Sequence, residues 1–199
     1  MTTLRVSKAE LPSELRESMI EQFGAVAEPV EVTWHNPAVA QAALEFGAKI
    51  ATWDAADDSL KTFAHMAVAA QVGCSWCLDL NYFAAQTQGL DMAKASQVPR
   101  WRESELFTPL ERDVLEYAEA MTDTPTTVTD ELSASLLEQL GAVPEPVEVT
   151  YNNPKVAISS QEFSASVATW DAVDASLKTL AHMAVAAQVG CSWCLDVNY

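Results

Sequence analysis

The chain has 199 residues, of which 49% are hydrophobic and 20% charged, so it can bury one sizeable core or two small ones and reads as globular rather than disordered. Its formal net charge of -17 excludes nucleic-acid backbones and anionic membrane surfaces as natural partners, because both require clustered Lys and Arg. No run approaches the ~18 apolar residues of a membrane span, and the opening MTTLRVSKAELPSELRE lacks the apolar centre of a signal peptide, so the expected location is the cytoplasm.

In chain order, Leu15, Met19 and Phe23 at helical spacing, between Pro12 or Ser13 and Gly24, predict a short amphipathic helix. The segment AVAEPVEVTWH that follows reads as extended loop, since VEVTW and its later relative VEVTY are too few strand signals to make a sheet. Asn36 and Pro37 give a cap and first-turn signal for a helix with Val39, Ala43, Phe46 and Ile50 on one face, ending near Trp53. An acidic turn at 54–58 caps the next helix, whose Leu60, Phe63, Ala64, Ala67 and Val68 form an apolar stripe. Gly73 closes that helix, and Ser75 is the expected cap of the next, which carries Cys77, Leu80, Phe83 and Ala84 toward Gly89. After a short segment at 91–97 and a connection at 99–107, Thr108-Pro109-Leu110-Glu111 is a capping box, with Leu110, Val114, Tyr117 and Met121 as the face of the helix it opens. Residues 124–130 read as a linker, with Asp130 capping the helix beyond. Helical signals dominate throughout, and the fold class is all-α, built of antiparallel helix hairpins.

A shift of 117 residues aligns 14–82 with 131–199 without a gap, and 49 of the 69 positions are identical. The period is too long for a solenoid, so this is a partial duplication. The expected organisation is a helical domain at 1–130 and a partial duplicate at 131–199, packed with the first copy or with a neighbouring subunit. In the duplicate, Val156, Ser160, Phe163 and Val167 match the face of the helix after Pro37. The second copy continues only five residues past Cys194, room for about two helical turns from Ser192, so the first site is expected to be the main one.

All four cysteines lie in two CxxC pairs, Cys74-Ser75-Trp76-Cys77 and Cys191-Ser192-Trp193-Cys194. A thiolate is the reactive form of cysteine, and the N–H groups and dipole of a helix start lower a thiol pKa from its usual ~8.5. Two sulfurs in one first turn can bridge, so attack by one and resolution by the other cycles dithiol and disulfide. Structural zinc and inert packing are the alternatives. Zinc-ribbon pairs usually lie ~15–20 residues apart, whereas 113 residues separate these. Neither a metal nor an organic cofactor is expected.

The block GCSWCLDLNY, preceded by the Ala-rich helix and followed by LFTPLERDVLEYAEAMTDTPTTVTDEL, resembles the AhpD-like, carboxymuconolactone decarboxylase superfamily over roughly residues 12–141. The resemblance implies an AhpD-like helical bundle and a homo-oligomer, trimer or hexamer. It also implies an alkyl hydroperoxide reductase-type antioxidant function, as thiol peroxidase or disulfide reductase, with a peroxide or protein disulfide as substrate and a lipoyl-type or peroxiredoxin-type redox partner. Cys74, Cys77, Cys191 and Cys194 are then the candidate catalytic residues. The family's proton-relay Glu and His fall on Thr62 and Asn81, and its histidine between the cysteines on Trp76. Losing a general acid and base removes a contribution of ~10² to 10⁴ in rate.

His65 and its copy His182 are the replacement candidates for proton transfer. Asp79 and Asp196 read as solvent or cap contacts, and Tyr82 as packing. Helix-terminus electrostatics favour Cys74 as nucleophile, while the resemblance implies Cys77. Two other readings stand beside the redox one. A lactone decarboxylase would need cations near the site, for which Lys61 and Lys178 are the nearest in sequence. A non-catalytic helical assembly module would use the cysteines for zinc or packing.

Overall fold

Asn36 and Pro37 act as the sequence indicates: the Asn36 side chain accepts from the Val39 N–H at 3.3 Å and Pro37 opens a helix. In this computed structural model, residues 6–52, 56–140, 154–191 and 194–195 are described. Among them are α1 Ser13–Phe23, α2 Glu28–Thr33, α3 Pro37–Ile50, α4 Asp58–Gln71, α5 Ser75–Thr87 and α6 Met92–Gln97. A 3-10 segment Val98–Glu103 leads to α7 Pro109–Thr122, α8 Asp130–Leu140, α9 Pro154–Ala168 and α10 Ala175–Val189. No strand occurs among the described residues, and the protein is all-α. None of the described helices is long and apolar enough to cross a membrane.

The chain divides into two compact units, each drawn from both copies: residues 1–53 with 150–174, and residues 54–149 with 175–199. In the first unit, α3 packs against α2 and against α9, its own duplicate. Phe46 stacks on Phe163 with ring centroids 5.5 Å apart, and Lys49 pairs with Glu162 at 2.6 Å. Around α1, Met19 is buried but Phe23 is exposed.

In the second unit, α4 is the central element and packs on α5, α7 and the 3-10 segment, with α8 on α7. Phe63, Met66, Ala67, Ala85, Val98 and Leu115 lie in one core, where Phe63 meets Phe107 edge-on at 6.2 Å. Burying an aromatic of this kind stabilises by roughly 1.5–3 kcal/mol. The core is closed from outside by polar contacts: Trp101 Nε1 donates to Glu119 at 2.9 Å, Arg102 pairs with the same carboxylate, and Arg112 donates to the Ser104 carbonyl. The capping box at α7 forms as expected, with Thr108 and Glu111 bonding each other's backbone N–H.

Several local expectations are corrected. The segment read as extended loop contains α2. Its Val-rich composition disfavours helix, but Pro29 lies in the first turn and Lys8 bridges Glu28 and Glu31 at 2.6 and 2.8 Å, a tie from 20 residues upstream. The connection at 99–107 holds the 3-10 segment, and Trp101 is buried within it. The buried face of α7 is set by Leu115 and Ala120, while Met121 is exposed. Thr129, not Asp130, caps α8, its hydroxyl accepting from the Leu132 N–H at 3.2 Å. The helix after Pro37 ends at Ile50, and residues 53–55, which hold Trp53 and the start of the acidic turn, lie outside the described residues. Asp57 is the cap of α4, accepting from the Leu60 N–H at 2.8 Å.

Candidate functional site

Gly73, at φ 70°, takes the left-handed conformation that ends α4 and turns the chain into α5. Across that turn the Cys74 N–H reaches back to the Ala69 carbonyl at 2.9 Å. The cap of α5 is Cys74 itself rather than Ser75: Ser75 is the first helical residue, and the Cys74 sulfur accepts from the Cys77 N–H at 3.2 Å. The reason is register, because the turn places residue 74 in a non-helical cap conformation, φ -84° and ψ 87°, and its Sγ where a Ser or Asp oxygen usually sits.

Cys74 and Cys77 form a disulfide, with Cα atoms 5.3 Å apart. Both residues are half-buried. Leu78 and Tyr82 pack inward against the core cluster, so α5 is anchored just behind the sulfurs. Outward, Trp76, Leu80 and Phe83 are exposed at 41%, 37% and 43%, leaving an apolar strip along the open side of α5.

Around this pair the expected relay positions are separated. Asn81 is buried, and its amide donates to the Cys77 carbonyl at 2.7 Å, one turn back along α5. Thr62 is also buried, but its hydroxyl donates to Gln88 Oε1 at 3.4 Å. Gln88 follows Cys77 by 11 residues, about 16 Å along a helix at 1.5 Å per residue, so Thr62 belongs to the far end of the α4–α5 hairpin. His65 is exposed on α4, four residues before Ala69, and His182 is exposed on α10. Asp79 is exposed, as expected of a solvated side chain. Lys61 pairs with Asp58 at 2.7 Å, which engages the cation nearest in sequence to the first pair. Lys178 is half-buried on α10.

Cys191 and Cys194 likewise form a disulfide, with the same Cα separation of 5.3 Å, and both are half-buried. Ser192, Trp193 and residues 196–199, Asp196 among them, lie outside the described residues, and of the expected short helix only 194–195 are described, as helical. Among the described residues, no group of three or more His, Cys, Asp or Glu side chains is arranged to hold a metal ion. The Ala69 carbonyl at the turn and Gln88, which engages Thr62 at the far end of the hairpin, are the groups that the sequence did not single out. Neither belongs to a motif, and only the hairpin geometry reveals them.

Residues 37–120 match the sequence profile of the carboxymuconolactone decarboxylase family. The chain is 33% identical over 86 residues to the uncharacterized protein YnjA of Escherichia coli (strain K12), an alignment covering 43% of this chain and 47% of that protein. The chain thus spans about half the length of that curated relative. In structure it is similar to a variant of the debrominase Bmp8 bound to 2,3,4-tribromopyrrole, with TM-score 0.61 and 17% identity, covering 87% of this chain and 93% of the other. The apo form of Bmp8 gives TM-score 0.58 at 17% identity, covering 86% and 94%. At that identity the likeness concerns the fold. The profile match is centred on the hairpin that carries Cys74 and Cys77, and over residues 37–120 the chain is similar to the carboxymuconolactone decarboxylase family.

Proposed function

We propose that the Cys74–Cys77 pair is the centre of a thiol-disulfide oxidoreductase that reduces a peroxide or a partner disulfide. The observation that carries this is the cap itself: a half-buried disulfide whose Cys74 sulfur accepts a backbone N–H at the start of the 13-residue helix α5. In the dithiol state that N–H and the helix dipole favour the charged form of Cys74.

With a peroxide, the Cys74 thiolate attacks one oxygen, the O–O bond breaks, and the leaving alkoxide takes a proton and departs as alcohol. Cys77 then attacks the sulfenic sulfur, water leaves, and the disulfide forms. Two electrons pass from the thiols to the peroxide, and a dithiol partner of lipoyl or peroxiredoxin type returns them by exchange. Asn81, committed to the Cys77 carbonyl, and Thr62, committed to Gln88, do not move these protons, so solvent at the half-open sulfurs does. The turnover is accordingly slower than a site with a built relay, by up to ~10² to 10⁴.

A second reading follows from the structural neighbour named a debrominase. The exposed strip of Trp76, Leu80 and Phe83 beside the sulfurs offers an apolar surface for a flat aromatic ring. Replacing a ring halogen by hydrogen has the same balance, two thiols giving a disulfide with release of halide and a proton. The family's decarboxylase sense is less favoured, because Lys61 is engaged by Asp58. The assembly is read as a trimer or hexamer, in the cytoplasm.

The test is lipoamide-coupled turnover of hydrogen peroxide, an alkyl hydroperoxide and a bromopyrrole, for the wild type, Cys74→Ser and Cys77→Ser. The expected result is loss in both variants, with the halide-release arm deciding between the two substrates. Equal turnover in all three proteins sinks the redox assignment, and cysteine-independent release of carbon dioxide from a muconolactone would replace it with the decarboxylase.

A further inference from the structure

The backbone frame of the first pair is built a second time. The Cys191 N–H donates to the Ala186 carbonyl at 2.9 Å, as Cys74 does to Ala69 at 2.9 Å. The Cys194 N–H donates to the Cys191 sulfur at 3.2 Å, as Cys77 does to Cys74 at 3.2 Å. Gly190, at φ 74°, makes the same left-handed turn as Gly73 at φ 70°. Each pair closes its own disulfide, and all four cysteines are half-buried.

The settings differ. Phe63 on α4, in the core cluster against which Leu78 and Tyr82 of α5 pack, is 2% exposed, whereas its counterpart Leu180 on α10 is 60% exposed. Exchange depends on the hydrogen-bond donors to the sulfurs and on access of the attacking thiolate, and the second pair has the same N–H donor and the same half-burial as the first without the buried core of α4.

We propose that Cys191–Cys194 is a second redox centre, reduced by a dithiol independently of Cys74–Cys77, so that each chain holds four electrons rather than two. The proposal rests on the thiol-disulfide reading of the first pair and extends its chemistry to a second site. One thiolate of the incoming dithiol attacks a sulfur of the 191–194 bond, forming a mixed disulfide and freeing the other cysteine as a thiolate that takes up a proton. The second thiol of the reductant then attacks its own sulfur in the mixed disulfide, releasing a cyclic disulfide and the remaining cysteine thiol. The reductant loses two electrons and the pair gains two, with two protons.

The experiment uses full-length protein as wild type, Cys74→Ser/Cys77→Ser, Cys191→Ser/Cys194→Ser and the quadruple variant. Each is reduced natively with dihydrolipoamide, alkylated and weighed, and a parallel sample is reoxidised with hydrogen peroxide first. The expected label counts are four, two, two and none, and the labels disappear on reoxidation. Peptide mapping of the wild type with two isotopic alkylating agents reads Cys191 and Cys194 directly, without any substitution. The proposal is overturned if these two cysteines take label only after denaturation, or if they do not re-form their bond on reoxidation. If instead they cycle while Cys74 and Cys77 in the same maps take label only after denaturation, the function proposed for the first pair fails and this site stands.

Discussion

Phe46 stacks on Phe163, the residue that holds its own place in the second copy, with planes 8° apart and centroids 5.5 Å apart. A residue meeting its own counterpart is the mark of a self-complementary two-fold contact, here folded into one chain. Exchanging α3 and α9 leaves this stack unchanged and carries the Lys49–Glu162 pair onto Glu45 and Ser166. The second copy carries Ser166 where the first has Lys49, so only half of a reciprocal pair of bridges is present.

Ser166→Lys should restore the missing half. A surface ion pair contributes about 0.2–1 kcal/mol, which for a chain of this size raises Tm by roughly 1–3 °C. The gain should shrink at 0.5 M salt, because exposed charges are screened. Thermal melts at low and high salt check this, and no rise at low salt would refute the two-fold reading of the contact.

Acid should weaken the protein through two carboxylates. Asp57 accepts from the Ser59 hydroxyl at 2.6 Å and the Leu60 N–H at 2.8 Å, which hold its carboxyl below the usual range. Burial alone would raise Glu111, but hydrogen bonds from Lys94 at 2.7 Å and from the Thr108 N–H at 2.6 Å outweigh it and leave the group lowered. With both folded values below the unfolded ones, the unfolded chain binds more protons in acid. Their stabilisation is complete above about pH 5 and fades as pH falls through the carboxylate range. Asp57→Ala should cost about 1 kcal/mol at pH 7, with the gap to wild type narrowing toward pH 3. A gap independent of pH in urea titrations would contradict the assignment.

The fold class and the motif were legible because they rest on local rules. Asn36 with Pro37, Thr108 with Glu111, and Gly73 each announce a helix end within a few residues. What escaped the sequence depended on distant partners. The α2 segment is tied by Lys8, and Phe46 meets Phe163 across more than a hundred residues. The candidate site was half readable. The CxxC spacing marked the sulfurs, but the cap fell on Cys74 instead of Ser75, a shift of one residue that turns a neighbouring hydroxyl into a hydrogen-bonded sulfur. Thr62 looked like a relay position by count alone, and hairpin geometry places it against Gln88.

Cys74 should be the more acidic thiol of the first pair. Its sulfur faces the Cys77 N–H and the start of α5, both of which favour the thiolate, and Cys77 lies inside the helix without such a donor among the described contacts. In Cys77→Ser, the pH profile of iodoacetamide alkylation should show Cys74 titrating below the ~8.5 of a free cysteine. In Cys74→Ser the remaining thiol should titrate higher. The reverse order would shift the nucleophile to Cys77.

Installing the family's acid at Thr62 should damage the fold without helping the chemistry. Thr62 is 7% exposed, and its hydroxyl is spent on Gln88 rather than on either sulfur. Thr62→Glu adds volume to a packed position and buries a carboxylate with one neutral amide as its neighbour, at a cost of about 1–3 kcal/mol and several degrees of Tm. Thr62→Val removes only the 3.4 Å hydrogen bond to an exposed glutamine, so its cost should stay below about 1 kcal/mol. If position 62 served the thiols, the glutamate would recover part of the ~10² to 10⁴ that general acid–base catalysis supplies. Geometry argues otherwise, and peroxide turnover per folded molecule should not rise in either variant. A tenfold increase in Thr62→Glu would place residue 62 within proton-transfer reach of the cysteines and overturn the separation of Thr62 from the sulfurs.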